Sequence, residues 1–159
     1  MNKNKIFKII IAIAIPLVVG GASSFLTYGA MDDFEMVNKP LLSPPTWLFP
    51  VAWTILYILM GIASYLIYKN NEYIKSDDKN KALILYGVQL VFNFFWSIIF
   101  FNLKAYYFAF FWLFIMWCLI IALMYYAKRV DKNAFYLLVP YILWTTFAGY
   151  LNIMIAILN

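Results

Sequence analysis

The segment Lys39-Pro40-Leu41-Leu42-Ser43-Pro44-Pro45-Thr46-Trp47-Leu48-Phe49-Pro50-Val51-Ala52-Trp53 crowds prolines into a short lead-in and then becomes a long apolar run. Pro44 and Pro45 have no amide to donate, and Pro45 pushes Pro44 toward extended backbone, so the lead-in cannot be helical. Thr46 is the expected N-cap of the helix that follows. A stiff strap thereby meets a membrane-length helix. Irregular backbone at that depth survives only where protein or a wet cavity covers it, so the strap reads as a lid.

Of the 159 residues, 66% are hydrophobic, 21% aromatic and 12% charged. No soluble domain of this size keeps such a composition in solution, so the chain is an integral membrane protein with the lipid bilayer as its main partner. The net charge of +5 comes from cations in short gaps between apolar runs, a pattern that topology explains and a nucleic-acid partner does not. Cys118 has no second cysteine to pair with. The absence of histidine removes the commonest general base and metal ligand.

The expected architecture is all-α, one domain with five spans at about 6–28, 47–68, 82–101, 105–127 and 134–158, and a lid loop over 29–46. A signal peptide is the alternative for the first run, but its apolar core would stop after roughly 7–15 residues, whereas this run reaches spanning length. Ala12, Pro16, Gly20 and Ser24 recur every fourth residue along it and offer a face for close helix packing. The stretch from Lys69 to Lys81 reads as a solvated loop, Asn102-Leu103-Lys104 as a tight turn, and 128–133 as a short basic turn. With five spans, Lys3, Lys5, Lys8, Lys69, Lys75, Lys79, Lys81, Lys128, Arg129 and Lys132 share one side, against Lys39 and Lys104 on the other. The positive-inside rule then places the amino terminus in the cytoplasm and the strap and carboxyl terminus outside.

Gln89, Asn93 and Ser97 form a polar stripe at four-residue spacing, with Trp96 beside it. Amides in hydrocarbon must face the interior, where they either bridge helices or hold a ligand. Trp53 with Tyr57, and Trp144 with Phe147, Ala148 and Asn152, supply aromatic and small-residue faces suited to a flat apolar ligand. Trp47 and Trp112, near span ends, read as interfacial anchors. No metal cluster, phosphate loop or nucleophile–base pair is visible, so no cofactor is expected.

In order and spacing these residues resemble the translocator protein family, also called tryptophan-rich sensory proteins or peripheral benzodiazepine receptors. The resemblance rests on Lys39-Pro40 with Ser43-Pro44-Pro45, Val51-Ala52-Trp53 with Tyr57 and Gly61, Asn93 and Trp96, and Val139-Pro140-Tyr141 with Leu143-Trp144, Ala148 and Leu151-Asn152. It implies a five-helix bundle, usually a homodimer, whose pocket beneath the first loop binds porphyrins such as protoporphyrin IX and benzodiazepine-type ligands through Trp53, Asn93, Trp96, Trp144 and Ala148. The lid would be formed by Lys39, Pro40, Pro44 and Pro45. The chain departs from the family pattern at Asp33-Phe34, where Trp-Tyr is usual, and at Leu42, where an aromatic is usual. The family's sterol motif is absent, because no Lys or Arg follows Lys132. Three functions compete: a tetrapyrrole-binding receptor or transporter, an enzyme that degrades porphyrin in light through Trp53 and Trp144, and a structural helper of another membrane complex.

Overall fold

In the computed structural model, which describes residues 3–70 and 76–159, every regular element is helical. Lys75, counted above among the cations, and the Asp32 side chain lie outside the described residues. The elements are α1 (Lys3–Thr27), a 3₁₀ turn (Tyr28–Ala30), α2 (Met31–Glu35), α3 (Leu48–Lys69), α4 (Ser76–Ser97) continued by a π turn (Ile98–Asn102), α5 (Tyr106–Val130) and α6 (Lys132–Leu158). Five of these helical stretches are long and apolar enough to cross a membrane, as expected. α3, α4, α5 and α6 share the core, while α1 packs along α3 and α4 from one side.

Several boundaries differ from the sequence reading, each for a local reason. The 69–81 stretch is not all loop, because Ser76, Asp77 and Asp78 start α4 with acids in the first turn, where they complement the helix dipole. Asp77 pairs with Lys81 at 2.6 Å, and Asp78 with Arg129 of α5 at 2.7 Å. The expected turn over 128–133 shrinks to Asp131, whose carboxylate accepts from the amides of Asn133 and Ala134 at 2.8 and 3.3 Å and so caps α6. Thr46 is not the N-cap of α3. Trp47 occupies that position without a side-chain cap, and the Thr46 hydroxyl instead faces Glu35 at 3.5 Å. The 29–46 lid is partly helical, since the 3₁₀ turn and α2 occupy its first third. The tight turn at 102–104 is entered through the π turn, and Lys104 adopts a left-handed φ of 51°.

The small-residue face of α1 works as expected up to Gly20 and then shifts by one residue: Ser24 is exposed, and Ser23 and Thr27 are buried instead. Gly20 leaves room for the Tyr57 ring. At Gly61 the backbones themselves meet, since an added Cβ would lie 2.5 Å from Ile13 Cα and 2.7 Å from the Ala12 carbonyl oxygen. Gly61→Ala is therefore expected to push α1 off α3 and destabilise the bundle by about 1–2 kcal/mol, read as a lower melting temperature in detergent. An unchanged melting temperature would show that this contact is not tight.

Candidate ligand site beneath the strap

The strap is tied down at several points. The Asn38 amide donates to Asn159 Oδ1 and Asn159 Nδ2 donates back to the Asn38 carbonyl, each at 3.0 Å, joining the strap to the end of α6. Asp33 pairs with Lys104 at 2.9 Å, and this hydrogen bond holds the Lys104 ammonium above its ordinary pKa. Lys39 lies 4.7 Å over the Phe34 ring. Pro40 is buried and Pro44 half-buried, whereas Pro45 is exposed.

Under the strap, α3 and α6 face each other through a ladder of rings. Phe49 meets Trp144 edge-on at 6.1 Å, and one turn deeper Trp53 meets Tyr141 at 6.2 Å while stacking on Tyr57 at 5.5 Å. Phe34 closes the top of this ladder, touching Phe49, Phe100 and Phe101 at 6.5, 5.7 and 5.1 Å. Trp96 joins from the α4 side by stacking on Phe100 at 5.1 Å. Ala148 is buried one turn beyond Trp144 on α6. Trp144 and Trp96 are thus linked through Phe49, Phe34 and Phe100, whereas Trp53 meets Tyr57 and Tyr141.

The polar groups divide sharply. Tyr57 donates to Asn93 Oδ1 at 2.6 Å, Asn93 Nδ2 donates to the Tyr141 hydroxyl at 3.3 Å, and Tyr141 donates to Gln89 Oε1 at 2.6 Å. This buried chain binds α3, α4 and α6 together, and it engages both ends of the Asn93 amide. The Trp96 indole donates to Asn152 Oδ1 at 3.1 Å, and Asn152 passes a bond on to the Tyr106 carbonyl at 2.8 Å. Trp112 does not serve only as an interfacial anchor: its indole donates to the Phe92 carbonyl at 2.8 Å and stacks on the Phe92 ring. The buried Trp144 N–H, by contrast, has no partner among the described residues, and neither has Gln89 Nε2. A buried donor left unpaired in an apolar setting is costly, so Trp144 presents the site's unspent hydrogen bond.

Sequence reasoning missed Phe34 and the role of Tyr141. Phe34 was noted only as a departure from the family pattern, because its place depends on α2 folding back under the strap. Tyr141 was named only for the family pattern, although a tyrosine following an in-helix proline and facing a polar stripe is a recognisable partner for amides.

Fold and site together define a small polytopic membrane protein with a cluster of aromatic rings beneath a pinned strap. The TspO/MBR family model matches residues 12–158. The chain is 37% identical over 160 residues to the tryptophan-rich protein TspO of Chlorobaculum tepidum, covering 100% of this chain and 99% of that one. It is 36% identical over 119 residues to the tryptophan-rich sensory protein of Cereibacter sphaeroides, covering 75% and 72%, and 34% identical over 119 residues to the translocator protein of Ovis aries, covering 75% and 70%. The chain belongs to the TspO/MBR family.

Proposed function

We propose that the protein is a membrane receptor or transporter-like binder of porphyrins such as protoporphyrin IX, and of benzodiazepine-type ligands, in the chamber beneath the strap. The observation that carries this reading is the unpaired, buried Trp144 N–H set into a wall of rings. A flat heteroaromatic ligand supplies the missing acceptor and stacks against Trp53 and Trp144, while Ala148 leaves room at the chamber wall. Asn93 shapes the site by holding Tyr57 and Tyr141 in place. Lys39, half-buried at the rim, is the cation a ligand carboxylate would meet. Phe34 occupies the entrance, so the ligand enters only when the strap lifts.

Replacing Pro44 and Pro45 with glycine is expected to raise the porphyrin dissociation rate several-fold and the association rate less, because a looser strap no longer closes over bound ligand. Stopped-flow fluorescence reads both rates. Unchanged dissociation removes the lid role, and no saturable porphyrin binding removes the function itself.

The stacking of Trp53 on Tyr57 supports a second reading, in which a light-excited porphyrin loses an electron to dioxygen, the oxidant of its breakdown, with the indole–phenol pair relaying it. Anaerobic binding followed by illumination in air separates the two readings, since a binder returns the pigment unchanged.

The orientation inferred from the cations belongs to the same proposal. Single cysteines at Ser76 and Asp33 in a Cys118→Ala background are expected to react with an impermeant reagent from the cytoplasmic and outer sides respectively. Labelling from one side alone would overturn the proposed orientation.

A further inference from the structure

At the end of the bundle opposite the strap, α1, α3 and α4 surround a basin of about 350 Å³ whose rim carries Lys5 and Lys8, Lys69, and Lys79. Lys8 and Lys79 lie over the same Tyr68 ring, at 5.5 and 5.3 Å, and Lys69 lies 6.0 Å over Tyr65. Rings offset part of the repulsion among four ammonium groups, but like charges gathered this closely favour a bound anion. The described carboxylates of the first turn of α4 are committed elsewhere, Asp77 to Lys81 and Asp78 to Arg129.

A second cavity, also of about 350 Å³, shares Lys8, Tyr65 and Tyr68 with the basin and continues along Ile11, Ile15 and Leu83, away from the amino-terminal end. Its flank is open, with the cavity-lining Ile11 and Ile15 44% and 49% exposed. Tyr86 lines the same cavity and is 7% exposed, and its hydroxyl makes no hydrogen bond among the described residues. Ser64 is a polar neighbour whose own proton goes to the Gly61 carbonyl at 2.8 Å, and it stands outside hydrogen-bond geometry with Tyr86. Side chains tilt toward a helix's amino terminus, so Tyr86 reaches back from α4 toward the lysines.

From the basic rim inward, the lining therefore runs from cations to a buried hydroxyl donor to an apolar slot. We propose that this is a binding site for one anionic phospholipid of the membrane face that bears the amino terminus. The lysines hold its phosphate, Tyr86 donates to an ester carbonyl, and one acyl chain lies along Ile11, Ile15 and Leu83. A free phosphate would satisfy the rim alone and leave the apolar slot and the Tyr86 hydroxyl unused, whereas a lipid uses all three.

The test uses the full chain in neutral detergent, exchanged into micelles containing equal dioleoyl phosphatidylglycerol and dioleoyl phosphatidylcholine, with retained lipid read by native mass spectrometry. One phosphatidylglycerol should remain bound, in preference to phosphatidylcholine. Lys5→Gln with Lys8→Gln should weaken retention about 25-fold, about five-fold per lysine, at an unchanged melting temperature. Lys5→Arg with Lys8→Arg should restore it. Ile15→Trp, which fills the slot, should also release the lipid. Equal retention of the two lipids, or indifference to the lysine changes, overturns the proposal. So does displacement by millimolar inorganic phosphate together with wild-type behaviour of Ile15→Trp, which would assign a free-phosphate site.

Discussion

Asn93→Leu is expected to destabilise the bundle by about 2–3 kcal/mol, although leucine nearly matches asparagine in size. The amide accepts from Tyr57 at 2.6 Å and donates to Tyr141 at 3.3 Å, so one substitution breaks the link from α4 to both α3 and α6. It also strands the Tyr57 hydroxyl, in a residue only 8% exposed, where no water can replace the acceptor. Gln89→Leu should cost less, because it also removes the already unpaired Gln89 Nε2, and the Tyr141 hydroxyl keeps the Asn93 donor and has Met116 Sδ at 3.9 Å as an alternative acceptor. Thermal melting of both variants in the same detergent measures the difference. If Asn93→Leu melted like the wild type while porphyrin affinity fell, the amide would be a ligand contact rather than a tie between helices.

The spans were legible because hydropathy and length are local properties, and α3 through α6 are set by them. Their ends were less so. Asp131 caps α6 and Asp77 and Asp78 extend α4, and both effects depend on partners that hydropathy does not register. Within the site, Trp53, Trp144 and Ala148 could be placed on interior faces by helical spacing. What spacing could not reveal is which polar atoms are already satisfied. Asn93 and Trp96 look as available in the sequence as Trp144, yet the first two are bonded to Tyr57, Tyr141 and Asn152. Only the packing of three helices separates a spent donor from an unspent one.

The departure at Asp33-Phe34 shows the same dependence on tertiary context. Read as a pattern, it leaves the lid poorer in indole. In the fold, Asp33 pins the strap to Lys104 and Phe34 packs against Phe49 and Phe101 beneath it, so both departures hold the strap in place. The phenyl ring is small enough to sit between Phe49 and Phe101 and apolar enough to stay there, with Lys39 over its face. The strap is thus held down by the ring beneath it, and in the proposed site a ligand would have to displace Phe34.

The unspent donor makes the sharpest test of the proposed chamber. Trp144→Phe keeps an aromatic face toward Phe49 and deletes the N–H, a group with no partner among the described residues. Stability should therefore hold, while porphyrin affinity falls by about 1–2 kcal/mol, roughly five- to thirty-fold, as the ligand's acceptor loses its donor. Trp144→Ala should cost at least about 2 kcal/mol of affinity, because it also removes a large stacking face from a dry site. Trp96→Phe is the mirror image. It breaks the 3.1 Å bond to Asn152 but keeps a ring against Phe100, so it should lower the melting temperature and leave affinity near the wild-type value. Titration of protoporphyrin IX, followed by the shift of its main absorption band, gives the affinities without relying on the tryptophans being changed. If Trp96→Phe lost affinity and Trp144→Phe did not, the ligand would sit on the α4 side of Phe34, and the chamber between α3 and α6 would not be its site.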